Sequence, residues 1–257
     1  KSRKETFDRI ENLFYKSYSK SNFEDFSVFA DRQISNSYFY ELLSLDGYQK
    51  TLNDAIWSIQ NKREMRLVEV GYDYTSIPQT VAYPIDFLPL QILYHRGVIH
   101  LSGVVKGKNK ILAIALNQLK KYSLTNNMFD NRDLLAALRR EMDNRFGITD
   151  NMNNEVYDIE IEFSELTGEF VKHHFWHHSQ NFLKLCNGNY VMTLRCGINR
   201  ELVGWIFQWM SNARVIKPES LQELVKEKHR EILDNYESDM PLSSNNSFMN
   251  TEALDKN

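Results

Sequence analysis

Apolar and polar positions along the chain change period several times, and each change marks an element. Residues 4–20 place Phe7, Ile10, Leu13, Phe14 and Tyr18 at helical spacing with Lys, Arg and Glu between them, which predicts an amphipathic helix. Residues 23–50 alternate aromatic and polar positions with few breakers. Ala30, Ile34, Ser35 and Leu43 sit near helix-turn-helix positions, but the Ala-to-Ile spacing is one residue short and no turn Gly appears, so a helical connector is expected. Thr51-Leu-Asn-Asp resembles a capping box and opens a helix carrying Leu52, Ala55, Ile56 and Ile59, which ends at Asn61-Lys62. A strand over Met65–Tyr72 and a loop containing Pro78 follow. Three strands then come in succession. Ile85, Phe87, Leu90, Ile92 and Tyr94 mark the first, Val98–Val105 the second and Ile111–Leu116 the third. His95-Arg96-Gly97 and Lys106-Gly107-Lys108-Asn109 supply the turns of an antiparallel meander.

Helical periodicity returns after Asn131 with Leu134, Leu135, Leu138, Met142 and Phe146, and Gly147 stops it. The polar stretch Thr149–Asn154 reads as a domain boundary. Val156–Phe163 alternates strictly, Ile159, Ile161 and Phe163 against Asp158, Glu160 and Glu162, which predicts a half-buried strand. A strand at Tyr190–Cys196, an Asn199-capped helix, a strand at Arg214–Ile216 and a helix over 219–236 behind Pro218 complete the pattern. Strand–helix–strand–helix order predicts an α+β sandwich here. Residues 237–257 are rich in Ser and Asn without periodicity, and read as a disordered tail.

At 257 residues the chain has room for two domains with separate cores. A net charge of −3 argues against a broad electrostatic grip on phosphates. Two cysteines, Cys186 and Cys196, fit a reducing compartment rather than a disulfide framework, so a cytoplasmic location is expected. No apolar run approaches the roughly 20 residues that span a bilayer, and no membrane association is expected. The opening Lys-Ser-Arg-Lys, without Met, suggests the C-terminal part of something longer.

The meander carries a family resemblance. Pro89-Leu-Gln-Ile-Leu-Tyr-His-Arg-Gly97-Val-Ile99-His100-Leu101, followed by Leu112-Ala-Ile-Ala-Leu-Asn-Gln118-Leu119, resembles the central motif of WYL domains. There a Pro opens one strand, a Trp-Tyr-Leu triplet opens the next, and an Arg-Ile pair closes the third. Ile99, His100 and Leu101 occupy the triplet here, and Gln118-Leu119 stands for Arg-Ile. Further on, Ser179-Gln180, Asn187-Gly188, Glu201-Leu202, Trp205-Ile206, Val215, Pro218 and Leu221 resemble the WCX extension that follows such domains. The resemblance implies an α+β fold: a helical connector (1–50), an Sm-like small β-barrel with flanking helices (51–150), and an α+β sandwich extension (151–236). It also implies a transcriptional regulator that senses a nucleic-acid or nucleotide-like ligand and controls an attached DNA-binding module. That helix-turn-helix module is missing from this chain. Twofold operators call for a homodimer, with the helices at 4–20 and 219–236 as candidate interfaces.

The implied pocket consists of Ile99, His100, Leu101, Gln118, Leu112, Ile85, Arg96 and Lys110. Arg suits phosphate because its planar fork bonds two oxygens. Leu112, Gln118 and Ile85 stand where the family carries basic residues, so a less anionic ligand or a vestigial pocket is expected. His100 keeps a ring at the Tyr position, and Arg96, Lys106, Lys108 and Lys110 crowd the turns. The cluster His173-His174-Phe-Trp-His177-His178 has spacing that a helix would turn into metal-ligand pairs, but it holds no Cys, Asp or Glu and reads as a polar loop. Catalytic motifs are absent from the sequence: no Gly-rich phosphate loop, Gly-x-Ser-x-Gly, CxxC or His-Glu-x-x-His occurs. A non-catalytic protein without cofactor or metal is therefore expected. Glu160 and Glu162 read as a solvated strand edge, Asp86 as a hydrogen-bonded rim residue, and the cysteines as small buried apolar groups. The rival expectations are a direct single-strand nucleic-acid binder, stacking bases on Tyr72, Tyr74, Tyr83 and Tyr94, and an accessory protein acting in a defence system.

Overall fold

The computed structural model describes residues 46–71, 82–96, 98–108 and 110–237. The expected helix at 4–20, the connector up to residue 45, Tyr72, Tyr74, the Pro78 loop, Gly97, Asn109 and the tail beyond residue 237 lie outside the described residues. Two compact units divide between Leu134 and Leu135. Each combines helices with one antiparallel sheet, so the α+β class holds.

In the first unit, helix α1 (Asp46–Gln60) lies against the strands β1 (Arg63–Val70), β2 (Ile85–His95), β3 (Val98–Val105), β4 (Lys110–Ala115) and β5 (Leu119–Met128). The helix starts before Thr51, so Thr51 is not its cap. Instead its hydroxyl lies 3.4 Å from the Tyr122 hydroxyl, which also donates to Asp54 at 2.8 Å. The inner face of the sheet and one face of α1 bury Leu52, Ala55, Met65, Leu67, Phe87, Leu101 and Ile114, all nearly or fully excluded from water. Truncating one such side chain, as in Leu101→Ala, costs about 2–5 kcal/mol through lost transfer energy and the cavity left behind.

Pro89 shapes the sheet. Proline cannot donate a ladder hydrogen bond, so inside a strand it belongs at a bulge. The β2–β3 register shifts just after it: Pro89 faces Gly103 and Gln91 faces Ser102, leaving Leu90 as the extra residue. The bulge moves the inward positions of β2 from Ile85 and Phe87 to Ile92. Gly103 is required opposite it, because a Cβ there would stand 2.2 Å from the Leu88 carbonyl oxygen.

The sheet order is β4-β3-β2-β1-β5. Among the described residues no ladder joins β4 to β5, so the closed Sm-like barrel implied by the resemblance is corrected to an open five-stranded sheet. A 3₁₀ turn over Leu116–Gln118 carries the chain from β4 to the far side of β1, and the end strands do not pair with each other. The third predicted strand accordingly ends at Ala115 rather than Leu116. Helix α2 (Arg132–Asp143) follows, its first backbone N–H donating to the Asp130 carboxylate at 3.1 Å.

The second unit runs β6 (Tyr157–Phe163), α3 (Glu165–Lys172), β7 (Asn181–Lys184), β8 (Tyr190–Cys196), α4 (Arg200–Phe207), β9 (Ala213–Lys217) and α5 (Glu219–Glu237). Its strands are ordered β7-β8-β6-β9, the ferredoxin-like arrangement of a split β-α-β pair. Alternation delivers Ile159, Ile161 and Phe163 of β6 and Met192, Leu194 and Cys196 of β8 to the core, where they meet Leu202 and Trp205 of α4 and Leu221 and Leu224 of α5. The opposite face carries charge in pairs. Glu160 meets Lys217 at 2.9 Å, and Glu162 accepts from Arg214 and from Asn189. Asn189 and Arg214 hold the Glu162 carboxyl below its ordinary range. Because β6 is an inner strand, these carboxylates are not the solvated edge expected from the sequence.

Candidate functional site

Side-chain alternation splits the predicted pocket residues between two faces of the first sheet. Ile99, Leu101, Leu112 and Ile85 are buried in the core on the inner face. His100 turns the other way and is 1% exposed, with Nδ1 3.1 Å from the Val98 carbonyl oxygen. Arg96 is at the exposed tip of the β2–β3 hairpin with φ 49, and Lys110 opens β4 opposite Val105. Gln118 lies in the 3₁₀ turn, where its carbonyl oxygen accepts from the Gly71 N–H at 2.8 Å.

The outer face assembles groups that the motif did not single out. Cross-strand pairing sets Gln91 opposite Ser102, Leu93 opposite His100, Ser102 opposite Ala113 and His100 opposite Ala115. His95 joins them, its ring edge-on to His100 with centroids 6.4 Å apart. The result is a strip of hydrogen-bonding side chains, His95, His100, Gln91 and Ser102, bordered by two alanines on β4. Ser102 is fully buried and its Oγ has no hydrogen-bond partner. Leaving such a group unpaired costs about 1–3 kcal/mol. No lysine or arginine lies on this strip. Two cations elsewhere on the sheet are paired: Lys106 is 2.5 Å from the buried Glu64 carboxylate, and Arg66 is 3.0 Å from Asp86, its ladder partner. The period-2 pattern of β3 alone could have found Ser102, which shares a face with His100, whereas Gln91 joins them only through the β2–β3 register after the bulge.

The tyrosines proposed as stacking platforms differ in exposure. Tyr94 is 60% exposed, whereas Tyr83 packs on the core and burial raises its hydroxyl pKa.

In the second unit, helix α3 stops at Lys172, so the His cluster does not continue as a helix. His173 and His174 are exposed, with the His173 ring 3.3 Å from Glu169. His177 is buried, its Nε2 3.1 Å from the Asp143 carbonyl oxygen and its Nδ1 2.8 Å from Ser179 Oγ. No group of three or more metal-ligating side chains gathers among the described residues. Cys196 is buried, and burial pushes its thiol up to about 12, which makes it inert. Cys186 is exposed in the β7–β8 turn, not buried as expected.

A second polar cluster surrounds the start of α4. Asn199 is fully buried, and its Oδ1 accepts from the Leu202 N–H at 3.0 Å as the helix cap. Its Nδ2 lies 3.1 Å from both the Phe146 and Thr149 carbonyl oxygens. Glu201 Oε2 accepts from the Ile148 and Thr149 N–H groups at 2.6 and 3.0 Å. The Arg145 guanidinium, also buried, reaches Asp150 at 2.7 Å and Glu141 at 3.0 Å. The segment 145–150 is thus tied to the helix that begins about fifty residues later. These groups fix backbone.

Residues 155–233 match the family model of the WCX domain. That span covers β6 through most of α5, the whole ferredoxin-like sheet. Two solved structures are similar over much of this chain. One is the proteasome accessory factor B/C (PafBC) of Arthrobacter aurescens, with 13% identity and a TM-score of 0.31, covering 76% of this chain and 28% of that one. The other is a CRISPR Cas-related protein, with 11% identity and a TM-score of 0.49, covering 74% and 53%. The chain therefore spans well under two thirds of either, and similarities of that strength speak to neither chemistry nor partners. No curated protein matches the sequence. No helix among the described residues is long and apolar enough to cross a membrane.

Proposed function

We propose that this chain is the effector region of a WYL-type transcriptional regulator, in which the five-stranded unit senses a ligand and the WCX-matching unit completes the protomer. The observation that carries the reading is the WCX match at 155–233 directly behind a sheet that bears the WYL-like strand spacing. The region is non-catalytic and works as a homodimer, passing ligand occupancy to a DNA-binding module outside this chain. Its ligand contacts centre on His100, with Arg96 and Lys110 near the hairpin ends and Ser102 and Gln91 beside it on the same face. Because Leu112, Gln118 and Ile85 stand where the family carries basic residues, the ligand is less anionic than a phosphate-rich one.

Thermal denaturation with nucleosides, mononucleotides and short single-stranded oligonucleotides tests the proposal. Saturation at 100 times Kd adds about 2.7 kcal/mol, which raises Tm by several degrees in a protein of this size. Nucleosides are expected to give that shift, and His100→Ala to abolish it, read against the variant's own apo melting temperature, which truncation of a buried side chain lowers. No shift from any of these probes would remove the sensor reading. Binding confined to oligonucleotides, weakened steeply by salt and by Tyr94→Ala, would favour direct single-strand binding instead.

A further inference from the structure

Helix α3 carries apolar side chains on the side that faces water. Gly168 and Val171 supply its buried side, while Leu166 and Phe170, one turn apart, are 86% and 53% exposed. The turn Met210–Asn212 lies beside the same helix. The Ser164 N–H donates to the Asn212 carbonyl at 3.0 Å, and the Phe170 ring centroid stands 5.9 Å from that of Trp209. Met210 is held at φ 52, a conformation uncommon outside glycine, and is 78% exposed. Leu166, Phe170 and Met210 thus form one apolar patch on the order of 400 Å². Single exposed apolar residues are ordinary, but a contiguous patch of this size marks an interaction surface. Its floor is ordered in advance: Phe170, His174, Trp176, Trp205 and Trp209 pack ring on ring with centroids 4.3 to 5.9 Å apart. Such a surface loses little side-chain freedom when it is covered.

We propose that this patch packs on the same patch of a second copy of this chain across a twofold axis, with the two α3 helices antiparallel. Charge complementarity argues for a second copy. The rim of α3 carries Glu165 in its first turn and Lys172 in its last, with side chains 61% and 29% exposed. Glu165 is 3.2 Å from Lys184 and Lys172 is 2.7 Å from Glu169, so the rim is balanced in charge and repels no copy of itself. Antiparallel packing centred near Gly168 sets Leu166 beside the partner's Phe170 and directs each Glu165 toward the partner's Lys172. Parallel packing would set Glu165 beside the partner's Glu165 and Lys172 beside the partner's Lys172, which like charges oppose. Exposed ion pairs add little strength, so charge sets the orientation and burial of Leu166, Phe170 and Met210 supplies the affinity. Area agrees, since a standard interface takes roughly 800 Å² from each partner with an apolar centre and a polar rim. The inference rests on the homodimer of the proposed function and names its surface; it is independent of the ligand.

Sedimentation of the full untagged chain over a concentration series tests it. A reversible dimer is expected, weakened at least about tenfold by Leu166→Lys and likewise by Met210→Lys. Both positions face water, so the folded protomer is expected to survive, which circular dichroism checks. Glu165→Lys and Lys172→Glu chains are each expected to dimerise more weakly alone than when mixed, because only the mixture sets opposite charges against each other. Thiol crosslinking gives a second readout. Cys186→Ser removes the exposed thiol and leaves the buried Cys196. In that background Leu166→Cys is expected to join two chains through a short bifunctional maleimide, since the two copies of position 166 lie about one helical turn apart. Lys217→Cys, on the charged face of the second sheet, is not. A chain that stays monomeric at the highest soluble concentration overturns this inference and the homodimer together. A dimer of unchanged affinity in Leu166→Lys and Met210→Lys, with no crosslink through position 166, overturns this surface and leaves the homodimer standing. No preference for the mixed pair overturns the packing of α3 on α3. If a lysine variant fails to fold, the crosslinking pattern decides alone.

Discussion

His177 holds its ring between the end of α2 and the start of β7, with Nε2 directed at the Asp143 carbonyl and Nδ1 at Ser179. Burial, and then the neighbouring His178, lower its pKa below the ordinary 6.5, so the folded protein keeps this imidazole neutral. The sign follows from linkage. The unfolded chain binds the proton more tightly, so stability is full above about pH 6.5 and declines as pH falls from there toward the lower folded value. Urea denaturation between pH 8 and pH 5 is expected to show that decline. His177→Gln, which lowers overall stability, should flatten this part of the pH dependence. Gly103 poses a steric question at the same scale. A Cβ at that position meets the Leu88 backbone, which cannot rotate away, so Gly103→Ala should destabilise the first unit by about 1–3 kcal/mol. The shift of the urea midpoint at unchanged m-value measures it.

Between neighbouring elements, short polar side chains do most of the positioning. Asn199 was legible as a helix cap, because an Asn before an apolar period announces one. Its second role, bonding the Phe146 and Thr149 carbonyls, depends on a segment fifty residues earlier and leaves no local pattern. Asn199→Ala should therefore cost more than the roughly 1 kcal/mol of a cap alone, since it also strands buried carbonyls. Asn199→Asp should restore the cap but not the carbonyl contacts, and comparing the two by chemical denaturation separates the roles. Gly147 belongs to the same cluster. Its φ of 74 suits glycine, and a Cβ there would collide with the Glu201 carboxylate at 2.2 Å. Three elements escaped the sequence altogether: β5, α3 and the four-residue β7. β5 has no alternation because its pairing with β1 shifts register in three places, so inward positions recur irregularly. Helix α3 leaves Leu166 and Phe170 exposed, so its apolar residues do not mark a buried face.

The whole chain consists of two units, each with a core of its own. A fragment beginning at Phe129 contains the complete ferredoxin-like sheet and every side chain of the Asn199 cluster. It is expected to fold alone, with a stability in the common range of about 5–15 kcal/mol. Circular dichroism with a single cooperative urea transition checks this, and a featureless spectrum would show that the second core depends on the first. The sequence by itself determined the α+β class, the β2–β3 hairpin, β6, β8 and the Asn199-capped helix. Each of these is written in residues adjacent along the chain, through a period of two or 3.6 or a cap. Tertiary structure alone decided that the first sheet stays open, that of the two faces of β3 the one with Ile99 and Leu101 enters the core, and that segment 145–150 is tied to α4. Those outcomes depend on pairing and packing between residues far apart in sequence, and local periodicity carries no record of which distant partner each residue will meet.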